Sequence, residues 1–182
     1  MKLFLAVSIP EKLHYEIQSS IKIIRSDYPQ FDWTPPENYH ISIFFIGERS
    51  ESKLPDIIEG IERIIYDTPS TQFSVLRMAM FVQKGIFLHL ELERNKLIER
   101  IHNRLIEVVG ERVPQRHPRY IPHLSIAKYK TPAKQQYFLL RKKLKKIEID
   151  LTFDVDSVDL YESIEAKPHN EYKKVHTFLL QG

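Results

Sequence analysis

The 182-residue chain has no cysteine, which removes disulfides, thiolate metal sites and cysteine nucleophiles together. A reducing, cytoplasmic setting is the expectation that follows. No apolar run approaches the ~20 residues of a membrane helix, so no membrane partner is expected. Met1–Ile9 is apolar, but Pro10, Glu11 and Lys12 stop it at once and no small-residue cleavage site follows. It reads as a buried first strand and not as a secretion signal. There is no Gly-x-Ser-x-Gly turn to carry a nucleophilic serine. Low-complexity stretches and evident linkers are missing too. Charge of either sign is scarce in excess: the net value is +3, which admits nucleic acid as a partner without requiring it.

What is present is ordinary for a globular chain, with 42% hydrophobic and 28% charged residues. The length suits one domain, residues 1–182, made of two similar lobes that share a core. A monomer is expected.

Two short stretches stand out, His40-Ile41-Ser42-Ile43 and His123-Leu124-Ser125-Ile126. In a strand alternate side chains share a face, so each histidine joins its serine on one side and the aliphatics point to the other. Of the eight histidines, these two alone have a hydroxyl two residues on. They lie 83 residues apart (123 − 40), and the same offset carries Leu3-Phe4-Leu5 onto Ile86-Phe87-Leu88. Each half therefore reads strand, helix, proline-bearing loop, His-x-Ser strand, an architectural repeat.

The remaining pattern fills in the elements. Lys2–Ser8 is a strand. Pro10 opens a helix striped by Leu13, Ile17, Ile21 and Ile24. Phe31–Asn38 is a loop, and Tyr39–Ile46 is the first motif strand, ended by Gly47. Pro55–Tyr66 is a second helix. Phe73–Gln83 and Ile86–Glu93 form a hairpin turning at Lys84-Gly85. Asn95–Val109 is a third helix, closed by Gly110, and Val113–Pro122 is a loop carrying Arg116 and Arg119. Pro132–Lys146 is a basic helix whose buried side is Leu139, Leu140 and Leu144. Leu151–Tyr161 and Tyr172–Leu180 are closing strands. The class is α+β: a bilobal chain of two pseudo-symmetric antiparallel-sheet lobes with outer helices around a central cleft.

Rival chemistries are weaker. His89 alternates with Glu91 and Glu93, which imitates a metal site but reads as an ordinary polar strand face. His14 and His102 fall on helical patterns and read as surface residues. A metal held by His40 and His123 would need further carboxylate or imidazole ligands, and Ser42 and Ser125 are poor ones. The basic run Arg141–Lys146 reads as a solvated helix face.

The paired motifs, with the opening Leu3–Pro10, the approach Trp33–Asn38, Phe45, Gly47, Leu160–Ser163 and Tyr172, resemble the 2H phosphoesterase superfamily. Within it the chain is most similar to the RNA 2′,3′-cyclic phosphodiesterases, also called 2′-5′ RNA ligase-like proteins. The resemblance implies hydrolysis of 2′,3′-cyclic phosphate ends on RNA to a 2′-phosphomonoester, with no metal and no cofactor. His40 and His123 would be the catalytic pair, and Ser42, Ser125 and Lys128 would hold the phosphate. Serine stands where threonine is commoner, which loosens the hydroxyl's rotamer. Lys128 stands where arginine is usual, which turns a bidentate clamp into a point charge. Two other readings stay open: a module that binds RNA ends without turnover, and a cyclic phosphodiesterase acting on a small nucleotide such as an ADP-ribose cyclic phosphate.

Overall fold

The computed structural model describes residues 1–109, 120–130 and 134–182. Among them are nine strands and four α-helices: β1 (Lys2–Ser8), α1 (His14–Asp27), β2 (Asp32–Trp33), β3 (His40–Glu48), α2 (Leu54–Ile65), β4 (Thr71–Val82), β5 (Ile86–Leu92), α3 (Lys96–Val109), β6 (His123–Tyr129), α4 (Lys134–Leu144), β7 (Thr152–Val155), β8 (Ser157–Ile164) and β9 (Glu171–Leu179). Gly110, Arg116, Arg119 and Pro132 lie outside the described residues.

One sheet runs in the order β7-β4-β5-β6-β3-β1-β8-β9, with β2 set against β6. Its middle is the join between the halves, where β3 and β6 meet antiparallel at Ile41↔Leu124. Those two residues are themselves 83 apart, so the approximate two-fold axis passes between them. On either side the order reads alike: β6 then β5, β3 then β1, each pair antiparallel. Ser8 pairs with His40 as Glu91 pairs with His123, and Ala6 with Ser42 as His89 with Ser125.

The correspondence extends to an irregularity. The β1–β3 register slips between Leu5 and Ala6, and the β5–β6 register slips between Leu88 and His89, again 83 residues on. Each slip inserts one unpaired residue in the motif strand just after the serine, Ile43 in one and Ile126 in the other. A bulge of this kind resets the alternation. Ile43 and Phe44 are therefore buried in succession, as are Ile126 and Ala127, and Phe45 and Lys128 emerge on the histidine face. The Ile43 carbonyl accepts from His102 Nδ1 at 2.7 Å, and the Ile126 carbonyl accepts from Thr34 N at 2.9 Å.

Helices cover the other face. Leu13 and the α1 residues Ile17, Ile21 and Ile24 are buried, as the stripe requires, and Ile98, Ile101 and Leu105 of α3 are fully so. Ile41 and Leu124 sit at the centre of this core at 0% and 2% exposure; truncating either to alanine should cost ~2–5 kcal/mol.

Several readings from sequence need correction. Leu151–Tyr161 is not one strand. It breaks at Asp156, because β7 pairs with β4 in one half and β8 with β1 in the other. The Phe31–Asn38 loop contains β2, which crosses to the other half and pairs Asp32↔Lys128 and Trp33↔Ala127. β3 runs on through Gly47, whose φ of +80° lets it bend without strain. Leu139 is exposed while Leu140 and Leu144, one turn apart, form the buried side of α4. The hairpin turn is as read, and Gly85 is required there: a Cβ would lie 2.6 Å from the Tyr129 carbonyl oxygen.

Candidate active site

An antiparallel register centred on Ile41↔Leu124 sets His40 beside Ser125 and Ser42 beside His123. The structure thus brings both imidazoles and both hydroxyls to one patch at the sheet's middle. Both histidines are half-buried.

The two rings are held in the same way. His40 Nδ1 lies 2.8 Å from the Asn38 carbonyl, and His123 Nδ1 lies 2.8 Å from the Ile121 carbonyl, in each case two residues back. A carbonyl only accepts, so each Nδ1 carries the proton and each neutral ring keeps Nε2 as the basic nitrogen. His40 Nε2 is 3.1 Å from Ser42 Oγ. Burial pushes the His40 pKa below its ordinary value, and the charge of His123 lowers it further, against the opposing pull of the Asn38 carbonyl.

Packing then fixes the rings. Phe4 and Tyr172 lie 5.1 and 5.0 Å from His40, centroid to centroid. Phe81 and His89 lie 5.2 and 5.5 Å from His123, both edge-on. Tyr120, just before the second motif, donates its hydroxyl to the Ser42 carbonyl at 3.1 Å, stitching one half to the other. It also stacks on His102, so His102 is a structural contact between α3 and β3 and not a free surface residue.

His89 is a second revision. It is 2% exposed and stacked on Phe81 at 3.9 Å. Burial drives its pKa down to about 4. It is therefore a neutral wall beside His123. The signal in the sequence was the register itself: the offset places His89 opposite Ser125, as Ala6 is opposite Ser42.

Lys128 reaches the same face, its Nζ 3.0 Å from Asp32 Oδ2. Across the dyad Phe45 takes the equivalent position, 60% exposed. Behind His40, Ser8 donates to the buried Asp159, which also accepts from Thr177 Oγ1 at 2.6 Å and pairs with Lys174 at 2.9 Å. Among the described residues no group of three or more histidine, aspartate or glutamate side chains converges as a metal site does. A hollow of about 480 Å³ lies elsewhere, along α3 between Arg94, Arg100 and Arg104. Its arginines serve the fold: Arg104 Nη1 donates to the Ile64 carbonyl at the end of α2.

The open sheet, with its approximate dyad between β3 and β6, presents one histidine and one serine from each half. The chain belongs to the 2′-5′ RNA ligase superfamily, whose family model matches residues 12–166. The RNA 2′,3′-cyclic phosphodiesterase of Thermus thermophilus is 28% identical over 144 residues, covering 73% of this chain and 71% of that one. The RNA 2′,3′-cyclic phosphodiesterase of Thermotoga maritima is 24% identical over 133 residues, covering 71% of each. In fold, the crystal structure of TT0787 from Thermus thermophilus superposes with a TM-score of 0.75 at 23% identity, covering 100% of this chain and 99% of that one. No helix among the described residues is long and apolar enough to cross a membrane.

Proposed function

We propose that this chain is an RNA 2′,3′-cyclic phosphodiesterase that opens the cyclic phosphate to a 2′-phosphomonoester, using His40 and His123 as a general acid–base pair without a metal. Its family and the names of its relatives support the cyclic phosphodiesterase activity. The observation that carries the two-histidine mechanism is the matched tethering of both rings, Nδ1 to a carbonyl two residues back, on one face across the dyad. Neither half holds a site alone, so the two lobes act as one domain.

The chemistry follows from that arrangement. Water must attack phosphorus opposite the departing ribose O3′. One imidazole, neutral at Nε2, takes the proton of the water while the other, protonated at Nε2, gives one to O3′. Imidazole titrates near ~6.5, so both forms coexist near neutrality. Each transfer is typically worth ~10²–10⁴-fold. Ser42, Ser125 and Lys128 donate to the non-bridging oxygens, whose charge grows as the water adds. The substrate is an RNA end or a nucleotide bearing the cyclic phosphate.

The test is direct. Purified protein is incubated with an oligonucleotide ending in a 2′,3′-cyclic phosphate, with and without chelator, and the product end is identified. Formation of a 2′-phosphomonoester, unchanged by chelator and lowered by orders of magnitude in His40→Ala and His123→Ala, is expected. Tight binding with no turnover would overturn the proposal in favour of an RNA-end-binding module. Chelator sensitivity relieved by a divalent ion would overturn the metal-free mechanism. Turnover of a mononucleotide or ADP-ribose cyclic phosphate but not of the oligomer would move the substrate away from RNA.

A further inference from the structure

Three cations on the histidine face of the sheet are paired with carboxylates. Lys128 Nζ lies 3.0 Å from Asp32 Oδ2, Lys174 Nζ lies 2.9 Å from Asp159 Oδ2, and Arg77 Nη2 lies 2.8 Å from Glu91 Oε2. Two of these pairs are rungs of the sheet, Asp32↔Lys128 between β2 and β6 and Arg77↔Glu91 between β4 and β5. Glu91 is in turn the rung partner of His123. Of the three carboxylates, Asp32 is the one joined to a residue read as a phosphate contact. It also lies 3.4 Å from His169 Nδ1, on the loop between β8 and β9.

Substrate and product differ in charge. A cyclic phosphodiester carries one negative charge, whereas a phosphomonoester loses its second proton near pH ~6 and carries two at pH 8. We propose that Asp32 sets the charge preference of the phosphate site: by offsetting Lys128 it suits the site to the monoanionic cyclic diester and hastens departure of the dianionic product. This rests on the proposed activity and on Lys128 as a phosphate contact.

The physics gives the proposal a definite form. A fixed negative charge opposes a ligand in proportion to that ligand's own charge. Whatever factor in affinity a monoanion loses, a dianion loses squared. For a solvated carboxylate ~6 Å away, that is about threefold for the diester and about tenfold for the monoester.

Asp32→Asn keeps an oxygen that accepts from Lys128 and removes only the charge. Three oligonucleotides are compared at pH 8 on wild type and variant: one ending in the cyclic phosphate as substrate, one ending in the 2′-monoester, and one ending in the 2′-phosphate methyl ester, an open monoanion. In Asp32→Asn the KM and the methyl-ester inhibition constant should fall about threefold, and the monoester inhibition constant about tenfold. The gap between monoester and methyl ester should persist in the Lys128→Gln background, where Asp32 has no ammonium to position. Equal changes for both inhibitors, no change, or weaker binding of both in Asp32→Asn would each overturn the proposal. So would a gap that vanishes with Lys128. Should wild type fail to turn over the cyclic end, the proposed activity falls, and direct titration with the two inhibitor oligonucleotides still tests the charge preference.

Discussion

The two halves differ in what surrounds a shared framework. The framework is constant: a histidine tethered to a carbonyl two residues back, a serine two residues on, and a one-residue bulge after it. Around it, paired positions diverge. Ala6 in one half is His89 in the other, Ser8 is Glu91, and Phe45 is Lys128. The first half thus offers rings and a hydroxyl network, with Phe4, Tyr161 and Tyr172 near His40. The second offers a buried imidazole, His89, beside His123, and a cation, Lys128, that the β3–β6 register carries toward Tyr172. On the proposed mechanism, what both halves retain would position a reacting atom, and what differs would tell one end of a substrate from the other. A symmetric scaffold acting on an asymmetric molecule needs that division.

The comparison breaks most sharply at the shared elements. His40→Ala and His123→Ala should each lower kcat/KM by ~10²–10⁴-fold, with the double variant little worse than either, because acid and base act as a unit. Steady-state kinetics on a cyclic-phosphate oligonucleotide checks this. Additive losses would mean that the halves act separately.

A smaller effect comes from the hydroxyls. Ser42→Ala and Ser125→Ala should each cost roughly ten- to a hundredfold in kcat, by loss of one donor to the developing charge. Equal losses would show that the dyad governs the chemistry as well as the backbone.

The pH dependence sharpens the contrast between the rings. The rate should follow a bell, and its acidic limb should fall below the ordinary histidine range, because burial lowers the His40 pKa. A single limb would exclude paired roles.

His89 tests the second half alone. Its folded pKa of about 4 lies below the unfolded value of 6.5. It therefore contributes stability that is complete above pH ~6.5 and lost as the pH falls toward 4, up to ~3 kcal/mol. Denaturant melts of wild type and His89→Phe across that window should show a flatter curve for the variant. Lys128→Arg is the mildest change. It should tighten KM a few-fold, because a guanidinium can grip two phosphate oxygens.

Much of this was legible beforehand because it is local or periodic. The His-x-Ser strands, the 83-residue offset and the stripe of α1 are written in adjacent residues, and the offset even locates the bulges once one of them is known. The rest depends on which distant segments meet. Nothing near Asp156 announces that the chain passes from one half to the other there, since both flanking stretches alternate like strands. Asp32 looks like a loop carboxylate until β2 is seen against β6. His89 reads as one of a polar series with Glu91, and its burial shows only when the β4–β5 hairpin brings Phe81 over it.

The pairing of β7 with β4 brings the two ends of the second half together. Thr71 at the start of β4 faces Val155 at the end of β7, so the second half departs from the polypeptide beside the place where it entered. It is an insert with a single doorway, and its two ends can be joined by a short turn.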